Sequence, residues 1–132
     1  MEIYKMTVDE RQHAKLLAID DDESTQKMLR RTLSKHFDID VCANSKEFLD
    51  STANKEYDIF LMDISLREEV DGCDLTRQLR QSEKHKTKPV IAFTAFRSNK
   101  ERQRAFEAGI DLFLTKPVMP KDLINILVGF VQ

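Results

Sequence analysis

The stretch LLAIDDDEST, Leu16 to Thr25, places four consecutive apolar residues directly against Asp20, Asp21, Asp22 and Glu23. The apolar half reads as the end of a buried β-strand. The acidic half is a problem, because two carboxylates ~4 Å apart repel by about 4 kcal/mol at the effective dielectric of a protein edge. Such crowding needs a compensating positive charge.

Outward from this stretch, short apolar runs alternate with longer segments of helical spacing. KLLAI (15–19), IDVCA (39–43), DIFLM (58–62), PVIAF (89–93) and DLFLT (111–115) are strand-sized, and most are continuously apolar, as strands buried on both faces are. Between and after them, Met28, Leu29 and Leu33, then Leu75 and Leu79, then Ala105 with Phe106, then Leu123, Ile126, Leu127 and Phe130 recur at helical spacing. This alternation predicts five βα units, a doubly wound α/β fold with a five-stranded parallel sheet and helices on both faces. Asp71-Gly72 and Ala108-Gly109 mark turns, and Pro117 and Pro120 bracket the entry to the last helix.

The composition fits one globular domain. The chain has 132 residues, 41% of them hydrophobic and 33% charged, which is too apolar for disorder and too charged for a membrane protein. Twenty-one Lys and Arg against 23 Asp and Glu leave a net charge of -2, which supplies no electrostatic case for nucleic acid or anionic lipid. Cys42 and Cys73 lack metal-site or redox spacing and read as reduced thiols. There is no signal-peptide pattern and no spanning segment, which points to the cytosol. Residues 1–14 lack periodicity and read as an extension of low order, leaving 15–132 as the domain.

In an open parallel α/β sheet, ligands bind beyond the carboxyl ends of the strands, where the strand order reverses. The polar residues there are Asp20, Asp21 and Asp22 after the first strand, Asp63 after the third, Thr94 after the fourth and Lys116 after the fifth. Acids converging without His or Cys suit a hard cation that keeps several waters, Mg²⁺ above all. A lone Asp in this position is usually a helix cap, and one residue of the acidic run has room for that role. Capping does not account for Asp63, nor for a Thr and a Lys behind two other strands. An Asp nucleophile, a metal, a Lys and a hydroxyl together are equipped to make and break an aspartyl phosphate.

From Lys15 to Gln132 the sequence resembles the receiver domains of two-component response regulators, whose fold is flavodoxin-like. LLAIDDDES is similar to the first-strand acidic pair, FLMDISL to the strand carrying the phosphorylated Asp, IAFTA to the switch-Thr strand, and DLFLTKPV to the aromatic and Lys-Pro segment. The resemblance implies that Asp63 is the phosphoacceptor, supported in catalysis by Thr94 and Lys116. It implies that Asp20, Asp21, Asp63 and the Ser65 carbonyl form the Mg²⁺ site, with Asp21 a direct ligand, and that Thr94 and Phe113 reorient on phosphorylation. It also implies a cis peptide at Lys116-Pro117, and a histidine kinase or histidine phosphotransfer protein as phosphodonor to a signalling domain that catalyses only its own phosphorylation and dephosphorylation. Asp22 has no role in this pattern and reads as solvated. The usual Pro is missing from SLREEVDG, whose Glu68 and Glu69 read as a solvated loop tip.

Two other functions fit part of the same residues. Asp20 to Ser24 nearly matches the DxDx[T/V] motif of haloacid dehalogenase-type phosphatases, with Asp20 and Asp22 as the acidic pair, although only Asp122 follows Lys116 as a further acid. A receiver-like module that is never phosphorylated is the third reading. No output domain follows Gln132, so the expectation is a stand-alone receiver or one cut from a larger hybrid kinase or regulator, with the downstream partner open.

Overall fold

A computed structural model describes residues 1–2 and 13–132. The expected low-order extension over 1–14 falls mostly on residues 3–12, outside the described residues.

The elements alternate as the apolar periodicity predicts: β1 (Lys15–Ile19), α1 (Glu23–Leu33), β2 (Asp38–Cys42), α2 (Ser45–Asn54), β3 (Ile59–Met62), α3 (Gly72–Gln81), β4 (Val90–Thr94), α4 (Asn99–Ala108), β5 (Leu112–Thr115) and α5 (Pro120–Val131). All strand pairs are parallel, in the order β2-β1-β3-β4-β5. The chain therefore leaves β1 towards one edge and returns to its other side at β3. That reversal opens a crevice between the carboxyl ends of β1 and β3.

Alternation along each strand sends side chains to two cores. Leu17, Ile19, Phe60, Met62, Val90 and Ala92 pack with residues of α2, α3 and α4. Leu16, Ala18, Ile59, Leu61, Ile91 and Phe93 pack with Leu29 and Leu33 of α1 and Leu123 and Leu127 of α5. Three helices thus cover one face and two the other. Full burial of each such side chain contributes roughly 1.5–3 kcal/mol.

Strand limits move from the expected ones for identifiable reasons. Pro89 has no N–H for the ladder, so β4 runs from Val90 and takes in Thr94. The Asp58 and Asp111 carboxylates accept hydrogen bonds from Lys15 N and Val90 N, at 2.8 Å each, and so lie just before β3 and β5 rather than inside them. The edge strand β2 begins one residue early, at Asp38.

Helix termini follow local chemistry. Asp22, Asn44, Asp71 and Ser98 each accept a hydrogen bond from a backbone N–H in the first turn of the helix they precede. Pro120 opens α5, and Gly109, at φ +110°, ends α4 in a conformation few other residues adopt. Phe106 departs from the expected apolar face of α4: it is 49% exposed, and the helix buries Ala105 and Ala108 instead.

Candidate functional site

The strand ends bring Asp20, Asp21, Asp63 and Lys116 into one cluster. One carboxylate oxygen from each of the three acids lies within 4.8 Å of the others. Asp20 and Asp63 are 1% and 4% exposed, and Asp21 is half-buried. Lys116 Nζ donates to Asp20 Oδ2 at 2.7 Å and to Asp63 Oδ2 at 3.3 Å, and stands 5.2 Å from the Phe93 ring centroid. Lys116 is set in place by its own N–H, which donates to Thr94 O at 2.8 Å, and is followed by a cis peptide to Pro117.

The electrostatics record the crowding. Burial pushes the Asp20 carboxyl up from its ordinary value, the bonds from Lys116 and the Asp22 amide pull it back, and the Asp63 charge adds to the rise; the net direction is up. Burial alone would lower Lys116, but its bond to Asp20 and the Asp63 charge outweigh that and hold the ammonium up. A simple ion pair would depress its acid. Asp20 rises because it is the more deeply buried partner and shares its single cation with a second carboxylate. Among the described residues, three acids against one ammonium leave an excess of negative charge, and the donors are all hard oxygens, so the cluster fits a hard divalent cation.

The loop after β3 folds back over this cluster. Ser65 donates twice to Asp63 Oδ1, from its N at 2.9 Å and its Oγ at 2.7 Å. Arg67 N donates to Asp21 Oδ2 at 3.1 Å, and Ser45 N donates to Glu68 Oε1 at 2.8 Å. Glu68 is exposed, as a loop tip is, and it also ties the loop to the start of α2. Thr94, fully buried, accepts from Phe96 N at 3.4 Å. Phe113 pairs with Ala92 across β4 and β5 and packs, partly buried, in the core on the α2, α3 and α4 face.

A family model for the response regulator receiver domain matches residues 16–128. The chain belongs to this family. It is 34% identical over 113 residues to an uncharacterized 14.6 kDa protein of Leptolyngbya boryana, covering 85% of this chain and 86% of that one. It is 30% identical over 118 residues to the transcriptional regulatory protein ResD of Bacillus subtilis, covering 89% of this chain but only 48% of ResD. In structure it is similar to the receiver domain of the Pseudomonas aeruginosa sensor histidine kinase PA1611, whose active-site cleft holds a magnesium ion: TM-score 0.81, 27% identity, 90% of this chain and 98% of that one. The chain thus spans about half the length of a regulator such as ResD.

Receiver membership removes the phosphatase reading, and the geometry gives the reason. Asp22, its second acid, is the N-cap of α1: Oδ2 accepts from Thr25 N at 2.9 Å and from the Ser24 and Thr25 hydroxyls at 2.7 and 2.8 Å. Asp22 is exposed, as expected of it, but it is a cap rather than a free solvated acid. Asp20, Asp21, Asp63 and Lys116 come together as the sequence implies. Ser65 joins them through Asp63, and Thr94 through the Lys116 amide. Gly72 escaped notice as a site residue: a Cβ there would lie 2.6 Å from Asp63 O. The Asp71-Gly72 dipeptide signalled a turn, not a close approach to the acid.

Proposed function

We propose that this receiver domain accepts a phosphoryl group on Asp63 from a phosphohistidine of a histidine kinase or histidine phosphotransfer protein. The observation that carries the reading is the cluster itself: a carboxylate 4% exposed, bonded to Lys116 and crowded by two further acids at the sheet's switch point.

An Asp63 oxygen attacks phosphorus as the P–N bond to the donor imidazole breaks, and the imidazole nitrogen keeps that electron pair. Lys116 supports the phosphoryl oxygens as a point charge, and the Thr94 hydroxyl donates to one of them. Reversal to the carboxylate comes by attack of water on phosphorus, releasing phosphate. Asp20, Asp21, Asp63 and the Ser65 carbonyl would hold Mg²⁺, which when bound offsets negative charge on the transferring group. No separate substrate is turned over, and the product of the chemistry is a changed surface for a downstream partner. Thr94 and Phe113 carry that change. The proposed site of action is the cytosol; among the described residues no helix is long and apolar enough to cross a membrane.

Intact-mass spectrometry after incubation with a small acyl phosphate and Mg²⁺ tests the assignment. One added phosphoryl group is expected in the wild type and none in Asp63→Asn. Equal labelling of the variant overturns the choice of Asp63. A wild type that takes no label supports the non-phosphorylated module.

A further inference from the structure

α4 is held to the domain by little apolar surface. The residues it buries are two alanines, Ala105 and Ala108, so apolar burial contributes little to its seating. Among the described residues, Arg104 is the one α4 side chain that forms an ion pair with another helix: its Nη2 bonds Asp71 Oδ2. Nη1 of the same guanidinium lies 3.8 Å from Glu101 within α4.

The Asp71 end of this pair is rigid. Asp71 Oδ1 accepts from Cys73 N at 2.9 Å and Asp74 N at 3.1 Å, and Asp71 N donates to Asp74 Oδ2 at 3.1 Å, closing a capping box on α3. The next residue, Gly72, is pressed against the Asp63 carbonyl oxygen and the Ile64 Cα. Asp71 is therefore fixed to the strand end that carries Asp63. At its C-terminal end α4 is also tied to α3, where Arg80 donates to the Gly109 carbonyl from Nε at 3.0 Å and Nη2 at 2.6 Å, while its N-terminal end hangs from Thr94 through the exposed residues 95–98. Two connections from the site, one through Thr94 and one through Asp71, meet on this helix.

The geometry points to Arg104 as a positioning residue of the switch: its bond to Asp71 holds α4 in the unphosphorylated arrangement, and losing the bond lets the helix leave that arrangement more often. A restraint that favours one of two states opposes any ligand that favours the other, so weakening the pair tightens binding of a phosphoryl analogue. The pair is partly exposed, which limits the gain to about two- to fivefold. The binding half of this inference rests on Asp63 as phosphoacceptor; the motion of α4 in the free protein does not.

Beryllofluoride with Mg²⁺, titrated by NMR into the full chain, is the probe. Arg104→Ala and Asp71→Asn are each expected to raise its apparent affinity about two- to fivefold and to speed amide exchange in α4 of the free protein. Asp71→Asn keeps an oxygen for the cap and loses only the charge. Arg104→Lys is expected to stay near wild type, and the double variant Arg104→Ala with Asp71→Asn to gain nothing over either single one. Unchanged α4 exchange in both single variants, or fully additive effects in the double, overturns the assignment. If the wild type itself fails to bind beryllofluoride, the reading of Asp63 fails, and α4 exchange in the free protein alone decides the role of Arg104.

Discussion

Lys116 Nζ is closer to Asp20 Oδ2, at 2.7 Å, than to the Asp63 oxygen it also bonds, at 3.3 Å. Both acids are almost wholly buried, so the ammonium is the countercharge for two carboxylates at once. Removing one partner of a buried pair costs about 3–5 kcal/mol, because the other is left uncompensated. Lys116→Ala is expected to lose stability on the order of 3 kcal/mol without divalent ions, and Mg²⁺ is expected to raise its Tm by more than it raises that of the wild type. Melting curves with EDTA and with Mg²⁺ measure both. Equal Mg²⁺ shifts in the two proteins would separate Lys116 from the cation site.

Asp21 is the least buried of the three acids and, among the described residues, has no ammonium partner; Arg67 Nε stands 3.8 Å away on a side chain that is 91% exposed. Asp21→Asn removes a repelling charge and a hard oxygen anion together. The expected outcome is weaker Mg²⁺ binding with metal-free stability equal to or above that of the wild type. A variant that lost stability equally with and without Mg²⁺ would assign Asp21 a structural bond instead of a ligand role.

Most of this site was legible because a strand is read from its apolar run and the site is whatever polar residue follows. Ile59 to Met62 is uniformly buried, which leaves Asp63 unmistakable behind it. The edge strand β2 was harder to delimit, since DIDVC is mostly half-exposed and mixes acids with apolar residues. α2 gave almost no periodic signal because Phe48 is its single buried anchor. Contacts that join distant segments left no trace in spacing: Glu68 with Ser45, Arg104 with Asp71, and His85, which lies in the charged stretch EKHKTK yet is buried with its ring 5.1 Å from that of Phe60.

Gly72 is required by space and not by φ. A Cβ would meet Asp63 O at 2.6 Å, Ile64 Cα at 2.8 Å and Met62 Cγ at 2.8 Å, and the first two are backbone atoms that cannot rotate away. Gly72→Ala is expected to cost roughly 1–3 kcal/mol, the usual range for overpacking. Because the displaced atoms belong to Asp63 and its neighbour, phosphoryl uptake should fall as well. Urea unfolding and intact-mass labelling of the same variant check the two effects together.

Asp22 contributes to the acid limb of stability, beside Asp40 and Asp71, whose carboxyls are also held below the ordinary value. Bonds from Ser24 and Thr25 lower its carboxyl to about 2, below the ordinary 3.8. A group depressed on folding adds stability that is fully present above its unfolded value and is lost as pH falls through the folded one. Asp22 therefore stabilises α1 above pH 3.8 and loses that contribution as pH falls towards about 2. Asp22→Asn keeps a capping oxygen without the charge, so its stability curve should be flatter across that window. Parallel acid titrations of Tm would show the difference.

Thr94 and Phe113 are placed to pass a change at Asp63 outward along one face of the sheet. Ala92 is paired with Phe113 and Thr94 with Thr115, so alternation puts Thr94 on the same face as Ala92, one step along from the ring. Leu112 and Leu114 pack in the opposite core, while Phe113 packs in the core that α4 covers. Phosphorylation adds up to two negative charges and three acceptor oxygens. Thr94 Oγ1 accepts from Phe96 N in this structure; on the proposed reading it is expected to turn, donate to one of those oxygens and release the loop that leads into α4. Space vacated by the hydroxyl would then become available to the neighbouring ring. The phosphoryl group shifts this equilibrium only by binding one arrangement better than the other, and the Thr94 hydroxyl supplies part of that difference. Thr94→Ala should still accept phosphoryl on Asp63, since the nucleophile and Lys116 are untouched, but NMR shift changes at Phe113 and along α4 should shrink. Changes of full size in the phosphorylated variant would mean that the signal reaches α4 without Thr94, by a route such as the Asp71 to Arg104 bond.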